Sequence, residues 1–227
     1  MHARSFAVLF LVAAALVPGV RAETHPFSIH DMLAMDRISD PQVSPDGRTV
    51  VFVVRTTDLE ANRGRTDLWL VGADGSGLVQ LTTDPANDAL GAFSPDGRQI
   101  VFVSDRTGVG QIYVMDADGG NMTQLTFDDA WKDQLPDWSP DGSKIAYAAG
   151  DPGDILVMNA DGTDQHTIVG GPADDFGSAW SPDGDQIAFI RFDDRAVRVA
   201  NADGSDVHVV RAFGLQAVPA WQPRGMR

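Results

Sequence analysis

Carboxylates dominate the side chains able to do chemistry. The sequence holds 32 Asp and Glu against 17 Lys and Arg. The positions that matter cluster between apolar runs: Asp84 and Asp88, then Asp128, Asp129 and Asp133 around Trp131, then Asp174 and Asp175 beside Phe176. A second set comprises Asp58, Glu60, Arg63 and Arg65, Asp105 and Arg106, Asp151 and Asp154, and Asp193, Asp194 and Arg195. Carboxylates converging from several loops suit a hard cation, with a calcium-like ion the fitting species, or a basic segment of another macromolecule. Trp131 and Phe176 among them add apolar anchors of the kind binding surfaces use.

Other chemistries are poorly provided for. There is no cysteine, hence no disulfide, thiolate ligand or thiol nucleophile. His25, His30, His166 and His208 show no metal-ligand spacing. Gly75-Ser76-Gly77 is no nucleophile elbow, because Asp74 stands where its first glycine would be. Asp116, Asn159 and Asn201 each open a fragment like a calcium loop. Around Asp116, however, Val114 and Leu125 replace the first ligand and the closing glutamate. No catalytic residue, cofactor or metal set is therefore assigned, and the expectation is a protein that is not an enzyme.

The acidic stretches are positioned by a repeat. Ser-Pro-Asp-Gly begins at Ser44, Ser94, Ser139 and Ser181, and Trp221-Gln222-Pro223-Arg224-Gly225 is a degenerate fifth copy. Ala-Asp-Gly follows each complete copy, at Ala73, Ala117, Ala160 and Ala202. Both words are turns: Pro sets the second position of a type I turn, and Gly accepts the left-handed conformation that releases the next strand. Between them, Val50–Val53, Ile100–Val103, Ile145–Ala148 and Ile187–Ile190 are apolar at consecutive positions. Such strands should be covered on both faces. Leu68–Val71, Ile112–Met115 and Ile155–Met158 form a third strand, and a more polar fourth follows each Ala-Asp-Gly. The residue before each Ser, namely Val43, Phe93, Trp138, Trp180 or Trp221, is expected in the core.

Four short antiparallel strands per repeat, the middle ones covered on both sides, predict an all-β β-propeller of about four four-stranded blades, in a small or incomplete ring. The two turns then share one face of the propeller. The acidic loops share the other, where binding is expected.

Before the first repeat, Ser28 and Asp31 predict a helix start, Ile29, Met32, Leu33 and Met35 an apolar side, and Pro41 a stop. Residues 1–22 read as a secretory signal peptide cleaved after Ala22: Arg4, an apolar run from Phe6 to Val17, then small residues. The domain reading is thus 1–22 signal, 23–39 an N-terminal segment with the short helix, and 40–227 the propeller. The formal charge of −15, or −17 without residues 1–22, repels nucleic acid and anionic lipid. No run suits membrane insertion. A periplasmic or secreted location follows, with an envelope or periplasmic protein as partner, and homodimerisation if the ring is open.

The repeat resembles a known one. Aromatic-Ser-Pro-Asp-Gly-x-x-Ile-x-Phe, then Ile-Tyr-Val-Met-Asp-Ala-Asp-Gly and Gln-Leu-Thr, is similar to the propeller repeats of the periplasmic translocation protein TolB and its relatives. The resemblance spans about residues 40–225. It implies a propeller that binds other proteins in the cell envelope. The helix running into the first repeat is also similar to the start of the propeller in prolyl-oligopeptidase-family peptidases. That likeness implies a second role, a regulatory or substrate-gating piece without its own catalytic domain.

Overall fold

The computed structural model describes residues 28–127 and 134–212, with Pro219 and Trp221. A helix, α1 (Ile29–Ala34), leads into sixteen strands in four four-stranded antiparallel sheets, each built in chain order. Blade 1 comprises β1 (Arg37–Val43), β2 (Thr49–Asp58), β3 (Arg63–Gly72) and β4 (Val79–Gln80). Blade 2 comprises β5 (Asp88–Phe93), β6 (Gln99–Ser104), β7 (Gln111–Asp116) and β8 (Thr123–Gln124). Blade 3 comprises β9 (Gln134–Trp138), β10 (Lys144–Ala149), β11 (Asp154–Asn159) and β12 (His166–Val169). Blade 4 comprises β13 (Asp175–Trp180), β14 (Gln186–Arg191), β15 (Ala196–Asn201) and β16 (His208–Ala212). The fold is the all-β propeller that the repeats predict.

Each Ser-Pro-Asp-Gly turn is closed by one small network. In blade 3 the buried Ser139 hydroxyl donates to Asp141 Oδ1 at 2.6 Å and accepts from Lys144 N at 2.9 Å. Asp141 Oδ1 also accepts from Ser143 N at 3.0 Å, and Gly142 N donates to Ser139 O at 2.8 Å. The same four bonds recur around Ser44, Ser94 and Ser181. Gly142 has φ 72°, a left-handed conformation that a residue with a Cβ rarely adopts. The two turns of each repeat are also joined, as by Ala160 N to Ser143 O at 2.9 Å, so both lie on one face.

Successive blades sandwich their apolar strands. Val51, Val53 and Leu68 of blade 1 pack with Ile100, Phe102 and Met115 of blade 2; the seams between blades 2 and 3 and blades 3 and 4 repeat the arrangement. The aromatic column anchors these seams: Trp138 Nε1 donates to Ala92 O at 3.3 Å, and Trp221 Nε1 to Ala179 O at 3.0 Å. Burying rings of this size contributes roughly 4–6 kcal/mol gross each.

Among the described residues no comparable packing joins blade 4 to blade 1. The four blades form an arc, and two expectations change. Val43, expected in the core, is 61% exposed, because no blade of the described residues lies in front of blade 1. For the same reason β2 is more deeply buried on one side, through Val51 and Val53, while on the other Val50 is buried but Phe52 and Val54 are half-buried.

The leading helix is also shorter than Pro41 suggested. Ser28 and Asp31 form the expected capping box, with Asp31 N to Ser28 Oγ at 3.3 Å and Ser28 N to Asp31 Oδ2 at 2.6 Å. The helix ends at Ala34, and Pro41 lies inside β1 at a bulge. A Pro lacks the N–H that a ladder needs, so a bulge is where a strand tolerates one. Every inner strand carries this bulge at the same repeat position, with φ of 50° at Asp40, 59° at Leu90, 53° at Leu135 and 70° at Gly177.

Removing the turn hydroxyl should be costly. Ser139→Ala leaves the Lys144 N–H without its acceptor, and we expect a loss of about 1–3 kcal/mol in urea unfolding at pH 7. The Asp141 carboxyl is held down at about 2, first by the Ser139 hydroxyl and then by the Ser143 N–H and hydroxyl. Its folded pKa lies below the unfolded value, so its contribution is present above about pH 4 and lost as pH falls towards 2. The stability gap between wild type and Asp141→Ala should therefore shrink over that window.

Candidate functional site

The loops joining one blade to the next, and the β2–β3, β6–β7, β10–β11 and β14–β15 hairpins, share the face opposite the two turns. The structure divides the acidic residues expected there into distinct groups. Asp88 and Asp175 are fully buried and belong to ion pairs inside their own blades. Arg106 Nη2 lies 3.1 Å from Asp88 Oδ1, and Arg191 reaches Asp175 through Nε at 2.8 Å and Nη2 at 2.6 Å. These two are structural ions, not members of an open acidic surface. The Arg191–Asp175 pair is bidentate, the stronger kind of charge-assisted bond, and it raises the already high pKa of the guanidinium.

Asp84 and Asp174 are exposed on the loop face, and each also organises backbone. Asp84 Oδ1 accepts from Ala86 N at 3.0 Å; Asp174 Oδ1 accepts from Gly153 N at 2.8 Å, tying the β10–β11 hairpin to the start of blade 4. Asp105 binds both the backbone and side-chain nitrogens of Asn87 at 2.7 Å. Phe176 is half-buried and packs on Phe192, their ring centroids 6.3 Å apart. Phe192 is the more exposed of the two, at 57%. Asp128, Asp129, Trp131 and Asp133 lie outside the described residues.

Two further carboxylates are set into the framework, and the sequence reading passed over both. Asp67, midway along β3, is 1% exposed and paired with Arg65 Nε at 3.1 Å; burial, opposed by Arg65, raises its pKa. Asp137 sits in the inner-strand column otherwise filled by Gln42, Ala92 and Ala179, and its Oδ2 accepts from Trp180 N at 2.7 Å. Burial pushes the Asp137 carboxyl up to about 6. At this seam the indole bond seen for Trp138 and Trp221 is missing: Trp180 Nε1 is buried without a partner among the described residues. A lone Asp in an alanine column was the available signal.

His166 and His208 fall in one column of the fourth strands and are half-exposed, each with Nδ1 2.8 Å from a backbone oxygen two residues earlier. Among the described residues no group of three or more His, Asp or Glu is placed to hold a metal ion. None of the described helices is long and apolar enough to cross a membrane. A cleft of about 450 Å³ opens on the turn face at the seam of blades 3 and 4, where Lys144 and His166 lie among Ser139, Asp141, Trp180 and Asp183.

Four-stranded blades stacked through an aromatic column, with closed turns on one face and polar loops on the other, define a β-propeller. The TolB β-propeller domain family matches residues 34–168, and the chain belongs to that family. It is 34% identical over 116 residues to the uncharacterized peptidase YuxL of Bacillus subtilis, a match covering 51% of this chain and 18% of that protein. It is 32% identical over 101 residues to dipeptidyl-peptidase 5 of Porphyromonas gingivalis, covering 44% and 15%. The alignments thus span less than a fifth of those two relatives. Among solved structures, a putative TolB from Agrobacterium tumefaciens superimposes with a TM-score of 0.59 at 21% identity, covering 77% of this chain and 80% of that one. Puromycin hydrolase does so with a TM-score of 0.60 at 19% identity, covering 80% and 30%. The propeller is shared with TolB-like proteins and with peptidase propellers.

Asp175 and Asp137 should behave oppositely on substitution. Asp175→Ala strands the Arg191 guanidinium, and we expect a loss of about 3–5 kcal/mol in denaturant unfolding. The folded pKa of Asp137 lies above the unfolded value near 4, so the fold binds the extra proton and stability declines as pH rises from about 4 to about 6. Asp137→Asn keeps an acceptor for Trp180 N without the charge. It should flatten that decline and gain roughly 2 kcal/mol at pH 7.5, read as an upward shift in thermal midpoint absent at pH 4.

Proposed function

We propose that this chain is an exported, non-catalytic β-propeller binding module of the cell envelope that holds another protein on its loop face. The observation that carries the reading is the division of the acidic residues within a TolB-family propeller. The buried acids Asp88 and Asp175 are consumed in building blades 2 and 4, whereas Asp84 and Asp174 stand exposed on the loop face, Asp174 two residues before Phe176 of the half-exposed Phe176–Phe192 pair. A rigid stack presenting carboxylates and an aromatic pair suits a partner with basic and apolar side chains. A calcium-like ion bridging the loop carboxylates is compatible with this role. The signal-like residues 1–22 and the TolB likeness support a periplasmic or secreted location, and the arc of blades leaves faces on which two copies could associate.

A second reading rests on the peptidase relatives and on α1, whose capped helix runs directly into the first blade. In it the propeller gates or regulates a peptidase catalytic unit.

Affinity capture from envelope extract of the source organism, with and without calcium, tests both readings. Charge reversal at Asp84, Asp128, Asp129 and Asp174 should reduce recovery of a specific partner at least tenfold while the thermal midpoint moves by no more than a few degrees. Unchanged recovery would remove the loop face from the proposal, and capture of a hydrolase would favour the gating role.

A further inference from the structure

Blade 1 differs from the others in its middle hairpin. β2 and β3 are ten residues each, whereas the matching strands of the other blades have six. The extra length carries Arg55, Arg63 and Arg65, and Arg37 of β1 lies directly opposite Arg55 in the ladder. Asp58, Glu60 and Asp67 balance the three arginines over the hairpin as a whole, but Arg37 and Arg55 set two like charges side by side on a chain of net charge −15.

Two of these arginines are accounted for: Arg63 Nη2 donates to Pro85 O at 3.0 Å, and Arg65 pairs with Asp67. Arg37 and Arg55 have no carboxylate partner among the described residues, although like charges directly opposed across a ladder repel. Nor is Arg55 loose in solvent. A Cβ at residue 64 would lie 2.7 Å from the Arg55 Cζ, so the guanidinium rests against the β3 backbone at a place that only glycine leaves open. Arg55 is thus half-buried, held on the sheet and left with unused donors.

We propose that Arg37 and Arg55 bind carboxylates of an extended acidic segment of a partner protein. Spacing favours such a segment over a single phosphate. β1 and β3 flank β2, so an arginine based on β1 and a guanidinium resting on β3 are about two strand spacings, or about 10 Å, apart. One phosphate reaches both only if the Arg37 side chain leans across β2 towards Arg55. Alternate residues of an extended chain stand about 7 Å apart on one face, and glutamate side chains close the difference. Guanidinium groups are suited to carboxylates through paired N–H donors. The inference is independent of Asp84 and Asp174, since it concerns the Arg37–Arg55 pair and an acidic ligand.

The test is a titration of the full chain, following the arginine Nε–H resonances by NMR. The probes are a blocked peptide alternating Glu with Val, its Lys counterpart and inorganic phosphate. The Glu peptide should give saturable shifts at Arg37 and Arg55 that weaken at least tenfold in Arg37→Gln, in Arg55→Gln and in Gly64→Ala. Gly64→Ala keeps both charges and disturbs only the seat of Arg55. If it misfolds, judged by amide dispersion, the two Gln variants decide. The proposal fails if the Glu peptide gives no saturable shift, if all folded variants bind it as wild type does, or if phosphate binds as tightly as the Glu peptide.

Discussion

A strand that is apolar on both faces has to be covered on both faces, and nearly everything in this molecule follows from that constraint. A four-stranded sheet with such middle strands is unstable alone, because one covered face still leaves a row of Val, Ile and Phe side chains in water. Stacking a second sheet on the first moves the problem to the far side of the second. The interior seams show the solution repeated, and blade 1 shows the cost of stopping: Phe52 is half-buried and Val43 exposed, while their counterparts Phe102 and Trp138 are buried. At the other end of the stack the outer face of blade 4 is covered, with Ala188, Ile190 and Val199 buried, and Trp221 bonds to Ala179 of its inner strand.

Within this stack the charged groups have two different duties. The turn aspartates face water and are stabilised as anions by hydroxyl and amide donors, so they cost little and fix where each strand begins. Asp88 and Asp175 are buried at the opposite end of the blades, and such carboxylates require partners. Arg106 and Arg191 supply them from the end of the neighbouring strand or just beyond it. Arg106 is further held over the Tyr113 ring at 4.7 Å, a cation–π contact that keeps its fork aimed at Asp88. Asp137 departs from this scheme. It has backbone donors but no cation among the groups that shift its pKa, so its charge is opposed by its surroundings. Among the described residues an acidic composition therefore covers four physical situations: exposed turn acids, exposed loop acids, buried paired acids, and the half-buried Asp137 held by backbone N–H groups alone.

Much of the architecture was legible in the residues. Turn chemistry is local: Ser-Pro-Asp-Gly closes through bonds spanning at most five residues, so the words Ser44–Gly47 and Ser139–Gly142 identify the same structure wherever they occur. Repetition of those words at nearly constant spacing then dictates sheets of equal size, and consecutive apolar residues dictate their stacking. The capping box at Ser28 and Asp31 was readable for the same reason. The functional face was less legible. Asp174 and Asp175 are neighbours in the chain, yet one is exposed and the other fully buried, because β13 begins between them and turns successive side chains to opposite sides.

What the sequence by itself determined was the repeated unit, its turns, its strand order and the family of its fold, all of which depend on contacts between residues close along the chain. Only the tertiary structure decided how far the outer face of blade 1 is covered, which aspartates are ions of the interior, and where the inner strands bulge. The bulges make the point. Their left-handed residue is Asp40, Leu90, Leu135 or Gly177, types with no shared preference for that conformation. The position is imposed by the pairing of each inner strand with its neighbour, an interaction across the sheet that no local spacing encodes.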